Sequence, residues 1–229
     1  MTTESLNNPP TDHIKVLDGQ GWIGLINTMG TEVTAVNAAR VSFGKTRTEM
    51  DDRDVDLLKY LIAHKHTSPL EHIQFTFVVH CPLFIRSQWH RHRTWKYNEI
   101  SRRYTSVDME LYNPAQIRSQ AKSDRQASEA QDDKAWNDEN AQIIAKANAE
   151  AVKVYDQLLE NGVAREQARG VLPQNMMTTY WATVDLGNLL KFLDLRDDAH
   201  AQWEIRQYAQ AIKQLLKKDF PTIAEVAGW

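Results

Sequence analysis

Cysteine is nearly absent from this chain of 229 residues, which contains only Cys81. One cysteine cannot form an internal disulfide or a metal site built from several thiolates. Long apolar runs are absent too, since no uninterrupted stretch approaches the roughly 20 residues that a membrane helix needs. The polar N-terminus also lacks the apolar stretch of a secretion signal. These absences predict a soluble protein of the reducing cytoplasm that has no membrane partner.

An excess of positive charge is missing as well. The 27 Lys and Arg residues against 30 Asp and Glu residues leave a formal net charge of -3. Such a balance gives no overall attraction to nucleic acid. With 42% hydrophobic and 25% charged residues, the composition is that of an ordinary folded protein, which excludes wholesale disorder. We expect a single domain over residues 13–229, after a flexible polar leader over residues 1–12 that contains Pro9 and Pro10.

Hydrophobic periodicity predicts helices around a sheet. Apolar residues recur at helical spacing in segments that predict helices over residues 31–40, 51–64, 83–89, 185–195 and 198–218, and over a stretch from Ile144 that stops at Asn161 and Gly162. Strict alternation predicts a strand over residues 72–81, after a shorter extended segment at residues 13–17. Large apolar side chains are scarce between Ala115 and Asn140, which indicates a solvated loop or an exposed helix. Because strands and helices do not alternate regularly, we predict an α+β fold in which mixed helices frame a central antiparallel-rich sheet.

The run from Arg91 to Tyr104 carries the strongest chemical signal. Basic side chains crowd it, and guanidinium groups match phosphate oxygens in bidentate geometry, so the run predicts an anionic ligand. The side-chain oxygens of Asn98 and Glu99 within it can pair with the arginines or accept hydrogen bonds from donor groups on a heterocycle. The alternative is a solvated charged face at a helix end. Interspersed Trp and Tyr side chains argue against that alternative, because a plain solvated face has little use for them.

This run resembles the signature of the flavin-dependent thymidylate synthases, in which Arg-His-Arg is followed after seven residues by Ser. The stretch from Arg91 to Ser101 matches that signature in full. Further blocks look like the family's other motifs in the same order, and the resemblance extends from about Val16 to the helix that contains Arg206. These blocks are residues 38–43, 66–72, 165–173 and 195–206.

The resemblance implies the family's fold and its reaction. In that reaction dUMP is converted to dTMP, 5,10-methylenetetrahydrofolate supplies the carbon, and NADPH supplies reducing equivalents through bound FAD. The resemblance also implies a homotetramer whose FAD sites are shared between subunits. Reduction at carbon is chemistry that side chains do not provide, so a flavin cofactor suits the reaction.

The family pattern also implies the residues that contact dUMP, which are Gln88, Arg91, Glu99, Ser101, Arg102, Arg103, Arg169 and Arg196. Arg196 is placed at the uracil ring, where a fixed cation stabilises the negative charge that develops when a ring nitrogen ionises. We therefore take it as the principal catalytic residue. Arg103, Arg169 and the Ser101 hydroxyl suit the phosphate. Ser101 is a binding residue in this interpretation, because the sequence places no obvious general base beside it.

The same pattern implies FAD contacts from Ser42, His66, Ser68, Glu71, Arg91, His92, Arg93, Glu99, Asp185, Gly187 and Lys191. The last three depart from the family, in which many relatives carry Asn, a basic residue and Asn. Gly187 cannot replace a side-chain contact, so we expect weaker flavin binding, with Lys191 compensating by its charge. Asp185 is also a good N-cap for the helix that follows it. The pattern implies no metal site.

Cys81 lies on the apolar face of the predicted strand with Phe75, Phe77 and Val79. A thiolate nucleophile has to be partly exposed and electropositively activated. The strand pattern therefore predicts a structural cysteine and a reaction without a cysteine nucleophile.

Two other classes of function stay open at the level of sequence. A metal-dependent hydrolase is suggested by the histidines, since imidazole is the commonest metal ligand; these are His64, His66, His72, His80, His90 and His92. A single-stranded nucleic-acid binder is suggested by basic residues interleaved with aromatic ones. Helix-end and strand positions explain most of the histidines, and the net charge of -3 argues against nucleic acid.

Overall fold

A five-stranded antiparallel sheet forms the centre of the fold in a computed structural model, which describes residues 5–106, 109–122 and 127–229. The strands are β1 His13–Val16, β2 Gly21–Met29, β3 Gln74–Pro82, β4 Lys96–Glu99, β5 Arg118–Gln120, β6 Ser128–Ala130 and β7 Met177–Asp185. The order in the main sheet is β1-β2-β3-β7-β4, and every neighbouring pair is antiparallel. Strands β5 and β6 form a separate two-stranded ribbon. The predicted α+β class with an antiparallel sheet is confirmed.

Helices of very different length surround this sheet. They are α1 Glu32–Arg40, α2 Asp52–Ala63, α3 Leu83–Trp89, α4 Lys134–Glu160, α5 Arg165–Ala168, α6 Leu186–Arg196, α7 Trp203–Leu216 and α8 Pro221–Val226. Two short 3-10 turns, Val41–Phe43 and Ser68–His72, lie beside α1 and before β3. Among the described residues, no helix has the length and apolarity to cross a membrane.

The hydrophobic core lies on one face of β3 and β7. Phe75, Phe77, Val79 and Cys81 are fully buried there, as their alternation predicts. Trp89, at the end of α3, packs at the centre of the aromatic part of this core, with its ring 4.7 Å from that of Phe192. Burial of side chains of this size contributes on the order of 2–3 kcal/mol each, so the core holds α3 and the start of the Arg-His-Arg run firmly in place.

Strand β7 is one of two nine-residue strands that the sequence did not reveal, the other being β2. Its residues pair with β3 along its whole length, from Gln74 opposite Asp185 to Pro82 opposite Met177. Threonines occupy several positions of β7, and they interrupt the apolar alternation that marks β3. Pairing with a strongly apolar neighbour therefore defines this strand more than its own pattern does. Strands β2 and β4 and helix α8 were also not predicted.

Two predicted helix starts were wrong. Helix α4 begins at Lys134, ten residues before the predicted start at residue 144, because Asp133 caps it and accepts from the Trp136 amide at 3.0 Å. Helix α7 begins at Trp203 rather than Asp198, whose carboxylate instead accepts from the His200 amide at 2.8 Å. The start of α4 was obscured because its first two turns are largely exposed and carry few large apolar residues.

From Lys134 onward the polar segment from Ala115 to Asn140 forms the exposed helix that was one of its two predicted structures, but the β-ribbon before it was not predicted. It contains the β5–β6 ribbon and the exposed first turns of α4, while its residues 123–126 lie outside the described part. Of the predicted leader, residues 5–12 contain no helix or strand. Asn7 in this stretch donates to Glu110 at 2.9 Å and accepts from the Thr179 hydroxyl at 2.8 Å. The division into a leader and one domain stays a prediction.

Candidate functional site

The Arg-His-Arg run begins where α3 ends, and the core holds it there. The Tyr97 hydroxyl shares its single proton between the backbone carbonyls of Trp89, at 3.1 Å, and of His92, at 3.0 Å. Trp89 is fully buried, whereas Arg91 and Arg93 are exposed. The backbone of the run is therefore fixed from inside, and its guanidinium groups extend outward.

A cleft of about 390 Å³, which we name the arginine cleft, opens beside β4 and the loop after it. Four of the predicted dUMP residues line this cleft, and they are Glu99, Ser101, Arg102 and Arg169. Arg86, Thr178 and Glu166 also line it, although the sequence did not single them out as site residues. Arg86 carried no recognisable signal of its own, and Thr178 lies on the strand β7 that was not predicted. Three guanidinium groups against two carboxylates give the cleft a positive balance that suits an anion.

Hydrogen bonds fix Glu99 within the arginine cleft. Its Oε1 atom accepts from Arg86 Nε at 3.1 Å and from the Thr178 hydroxyl at 2.7 Å. No described residue donates to its second oxygen, Oε2, which is therefore available to a donor on a ligand. Arg86 thus orients the one carboxylate that the sequence analysis placed among the dUMP residues.

Ser101 and Arg103 lie at the rim of the arginine cleft. The Ser101 hydroxyl accepts from the Arg103 amide at 3.3 Å, and the exposed Arg103 guanidinium donates to Glu166 at 3.3 Å. A weak surface pair of this kind leaves the Arg103 cation free to exchange Glu166 for a stronger anion. The geometry agrees with a binding role for Ser101, since its described hydrogen bond is to a backbone amide rather than to a base.

A second group forms around Arg196 at the end of α6. Arg196 Nε donates to His92 Nε2 at 3.0 Å, and its Nη2 donates to the Gln88 carbonyl at 3.0 Å. The Gln88 side-chain amide donates in turn to the side chain of Gln202. Burial and the neighbouring Arg196 charge lower the pKa of His92 to about 4, and burial also lowers the pKa of Arg196. The structure therefore joins three predicted site residues, Gln88, His92 and Arg196, through direct hydrogen bonds.

A second cleft, of about 360 Å³, unites two of the predicted flavin blocks; we name it the lysine cleft. It lies between the start of α6 and the segment that precedes β3. It is lined by apolar side chains, two ammonium groups and one carboxylate, which belong to Ile62, Leu70, Leu190, Lys65, Lys191 and Asp194. An apolar slot whose lining keeps a net positive charge has the chemistry to accept one end of a dinucleotide such as FAD. Its lining on α6 extends from Gly187 to Asp194, which lie about 14 Å and about 3 Å from Arg196 along the helix axis.

Asp185 and Gly187 are less suited to hold a cofactor than the resemblance implies. Both carboxylate oxygens of Asp185 are engaged by Asn188, whose amide and side chain donate to them at 2.9 Å and 2.7 Å. Asp185 is therefore the N-cap of α6, as its sequence position also suggested. A Cβ atom at Gly187 would lie 3.3 Å from Asp185 Oδ1 and 3.4 Å from the Thr67 side chain. This close packing explains why a glycine suits the position. Lys191 is then the one cationic side chain among the three residues of this predicted flavin block.

The remaining predicted flavin residues are exposed. Ser42 lies in the Val41–Phe43 turn, where Phe43 is 76% exposed. His66, Ser68 and Glu71 are exposed in and before the Ser68–His72 turn. Exposure leaves these side chains accessible to a cofactor or to another chain.

Cys81 is fully buried on the core face of β3. Burial raises the pKa of its thiol far above the ordinary value, and the nearest polar partner is the buried Tyr180 hydroxyl at 3.9 Å. The Arg86 charge acts in the opposite direction, but burial outweighs it, and a thiol without access to solvent is not a nucleophile. The predicted structural role of Cys81 agrees with this geometry.

The histidines do not converge on one point. His64 and His66 pack against the Tyr60 ring, with ring centroids 4.2 Å and 5.6 Å from it, while His80 is buried on the sheet. Within residues 5–106, 109–122 and 127–229, no three His, Cys, Asp or Glu side chains are grouped so that they could hold a metal ion. Geometry gives the hydrolase alternative no support.

Comparison with known proteins agrees with the signature. The family profile described as thymidylate synthase complementing protein matches residues 24–222. The flavin-dependent thymidylate synthase of Thermus thermophilus is 47% identical over 210 residues, which cover 91% of this chain and 75% of the relative. That of Thermosipho africanus is 43% identical over 207 residues, which cover 90% of both chains.

A solved structure extends this similarity to the fold. The crystal structure of a UMP/dUMP methylase, PolB, from Streptomyces cacaoi, bound with 5-Br UMP, has a TM-score of 0.79 and 28% sequence identity. The match covers 97% of this chain and 96% of that chain. Taken with the family match and the curated relatives, it shows that this chain belongs to the family of the flavin-dependent thymidylate synthases.

Proposed function

We propose that this protein converts dUMP into dTMP, with 5,10-methylenetetrahydrofolate as carbon donor, NADPH as reductant and FAD as bound cofactor. The observation that carries the proposal is the arginine cleft, because it brings the predicted phosphate and base partners Glu99, Ser101, Arg102 and Arg169 to one place. The names of the relatives and of the dUMP-binding neighbour support the same substrate.

The arginine cleft suits the phosphate of a nucleotide. A phosphate monoester carries about two negative charges near neutral pH, and guanidinium groups bind it in bidentate geometry. Arg102 is buried and Arg169 exposed, so together they can reach a phosphate from inside and from the rim. Arg103 and the Ser101 hydroxyl complete this set, and Glu99 Oε2 is left to accept a hydrogen bond from the nucleotide.

Arg196 acts on the uracil ring in this proposal. Negative charge develops on the ring when its N3 position ionises, and a preorganised cation stabilises that charge without reorganising. Gln88 contributes to the same end of the site, since its carbonyl holds Arg196 Nη2 at 3.0 Å. The exposed Arg91 joins the dUMP contacts at the start of the run.

The reaction needs a reductant because a methylene group must become a methyl group. When bound, FAD supplies that two-electron reduction with electrons from NADPH, which no side chain can do. Two sets of residues would hold it. One set consists of Ser42, His66, Ser68, Glu71 and Lys191, and the other consists of Arg91, His92, Arg93 and Glu99.

The assembly we propose is a homotetramer in which subunits share the FAD sites. The exposure of Ser42, His66 and Ser68 on one subunit supports this arrangement, because exposed side chains can complete a site on a neighbour. The net charge of -3 and the lone buried thiol support a cytoplasmic enzyme that does not bind nucleic acid.

Removal of the thiol is expected to leave catalysis intact. The Cys81→Ala variant should keep kcat within about twofold of the parent value, because the thiol is not activated and only packs in the core. It should also lose roughly 1 kcal/mol of unfolding free energy from the small cavity. Steady-state dTMP formation and thermal unfolding measure the two effects. Complete loss of activity in a folded variant would show that Cys81 is the nucleophile after all.

The function is tested first by absorption spectroscopy of the protein with added FAD. Anaerobic NADPH is expected to bleach the flavin bands, and dUMP with methylenetetrahydrofolate should then give dTMP. UMP is the matched substrate control, and its product would show whether the ribose 2′-hydroxyl is tolerated. Failure to bind FAD, together with stoichiometric metal in the protein, would replace this proposal with the metal-dependent hydrolase.

A further inference from the structure

The Arg196 guanidinium is held from two sides by this chain. Nε donates to the His92 ring at 3.0 Å and Nη2 donates to the Gln88 carbonyl at 3.0 Å. Arginine offers N–H donors on Nε and on both Nη atoms, so these two contacts leave the Nη1 donors and one Nη2 donor without an acceptor among the described residues. The outer edge of the guanidinium, which spans Nη1 and Nη2, is thereby presented to a ligand.

Only one state of His92 permits this contact. Arginine has no acceptor and stays charged, so His92 Nε2 must be the unprotonated nitrogen and the ring proton must lie on Nδ1. Burial and the Arg196 charge both lower the pKa of His92, which keeps the ring neutral near neutral pH. The imidazole is also held from outside the pair, because its ring centroid lies 4.9 Å from that of Phe192 in an edge-on contact.

We propose that His92 is a positioning residue for Arg196: its unprotonated Nε2 orients the guanidinium so that the free edge faces the uracil ring. The proposal rests on the role of Arg196 proposed above. An arginine side chain that loses such an anchor regains rotamer freedom, and a misplaced cation stabilises the developing charge less well. Because the other acceptor is the Gln88 backbone carbonyl, His92 is the side chain through which the orientation can be tested.

Two substitutions separate the acceptor from the rest of the imidazole. In His92→Gln the amide oxygen can occupy the place of Nε2 and accept from Arg196. In His92→Leu a side chain of similar size has no acceptor. Both variants lack the Nδ1–H donor and the aromatic ring, so any effect that they share belongs to another role of His92, including contact with FAD.

The expected result is a difference between the two variants in kcat. His92→Leu should lose about 10- to 100-fold in kcat at saturating FAD, while His92→Gln should regain most of that loss. FAD affinity, measured by quenching of flavin fluorescence, should change to the same extent in both. Retention of the native near-ultraviolet circular dichroism would show that each variant is folded.

A second readout does not depend on turnover. Fluorine at C5 lowers the pKa of the uracil N3 position, so the ultraviolet band of bound 5-fluoro-dUMP reports ring ionisation directly. The parent and His92→Gln should bind the ionised form at a lower pH than His92→Leu does. In His92→Leu the midpoint should shift by about one pH unit toward that of the free nucleotide, which corresponds to a tenfold loss of preference for the anion.

Equal losses of kcat and equal ionisation midpoints in the two variants would overturn the positioning role. The Arg196→Ala variant separates this outcome from a failure of the proposed function. If Arg196→Ala is inactive while the two His92 variants are indistinguishable, only the role of His92 is wrong. If Arg196→Ala retains full turnover, the role of Arg196 is wrong and the role of His92 falls with it.

Discussion

Replacement of Arg196 by alanine is expected to lower kcat for dTMP formation by at least about 100- to 1,000-fold, which is the usual cost of removing one preorganised group that stabilises developing charge. The residue combines a partly buried cation with two fixed hydrogen bonds, to His92 and to the Gln88 carbonyl. Partial burial strengthens its interaction with an ionising ring because water screens the charge less. FAD should stay bound, since none of the predicted flavin contacts is removed directly.

Two matched variants show whether the loss is specific to Arg196. Arg196→Lys keeps a positive charge but lacks the planar fork, so it should recover only a small part of the activity. Arg53→Ala removes an exposed guanidinium from α2 and should leave kcat unchanged. Rapid-quench measurement of dTMP, with flavin absorbance as the control for cofactor content, tests the set. Substantial turnover by flavin-loaded Arg196→Ala would refute the assigned role.

Replacement of Asp54 by asparagine is expected to destabilise the folded protein strongly, because it removes the charge of a buried carboxylate that is paired with two arginines. The Asp54 side chain is fully buried, accepts from Arg40 Nε at 2.7 Å and lies 3.5 Å from Arg47 Nε. Breaking a buried ion pair leaves charge uncompensated, and here both arginines retain some contact with water. We therefore expect a loss of roughly 3 kcal/mol, at the lower end for such pairs. The melting temperature should fall by about 6–12 °C for a chain of this length.

The stabilisation by Asp54 should also depend on pH. Burial acts to raise its pKa, but hydrogen bonds from the Asp51 amide and from Arg40, with the charges of Arg40 and Arg47, outweigh burial and lower the pKa overall. A carboxylate with a lowered pKa stabilises the folded state fully above its unfolded pKa of about 3.9 and loses that effect as the pH falls through the folded value. The difference between parent and variant should be constant near neutral pH and shrink in acid.

The matched control is Asp56→Asn, which removes an exposed carboxylate from the same helix and should change the unfolding free energy by less than about 0.5 kcal/mol. Urea unfolding of both variants at several pH values measures the effect. A loss at Asp54 no larger than that at Asp56 would mean that the Arg40 pair contributes nothing net.

Because Ser42 lies in the segment between these ion-paired helices, the Asp54 variant should bind FAD less tightly as well.

Much of the site was predictable because its residues are close in sequence. Gln88, Arg91, His92, Glu99 and Ser101 fall on α3, β4 and the loops after them, so local order along the chain already groups them. Arg169 and Arg196 were found only through the motifs they share with the family. Spacing gave no means to predict that Arg196 lies against His92, because 104 residues separate them.

The roles of Arg86 and Thr178 could not be predicted from the sequence. Arg86 precedes the signature and resembles any arginine on a short helix, and Thr178 belongs to a strand whose alternation is too weak to detect. Their function as partners of Glu99 depends on β4 pairing with β7, which places Glu99 opposite Tyr180 and beside Thr178. Strand pairing is a long-range property that no local pattern encodes.

The sequence by itself determined the family, the helical and alternating patterns of α1, α2 and β3, the burial of Cys81 and the set of arginines that suits a nucleotide. These are local properties, since composition, period and motif are read within a few turns of chain. The tertiary structure decided which of those residues meet: Glu99 with Arg86, Arg196 with His92, and Lys191 with the segment before β3. It could do so only because a hydrophobic core brings distant segments together, and the energy of that core depends on the whole chain rather than on any one segment.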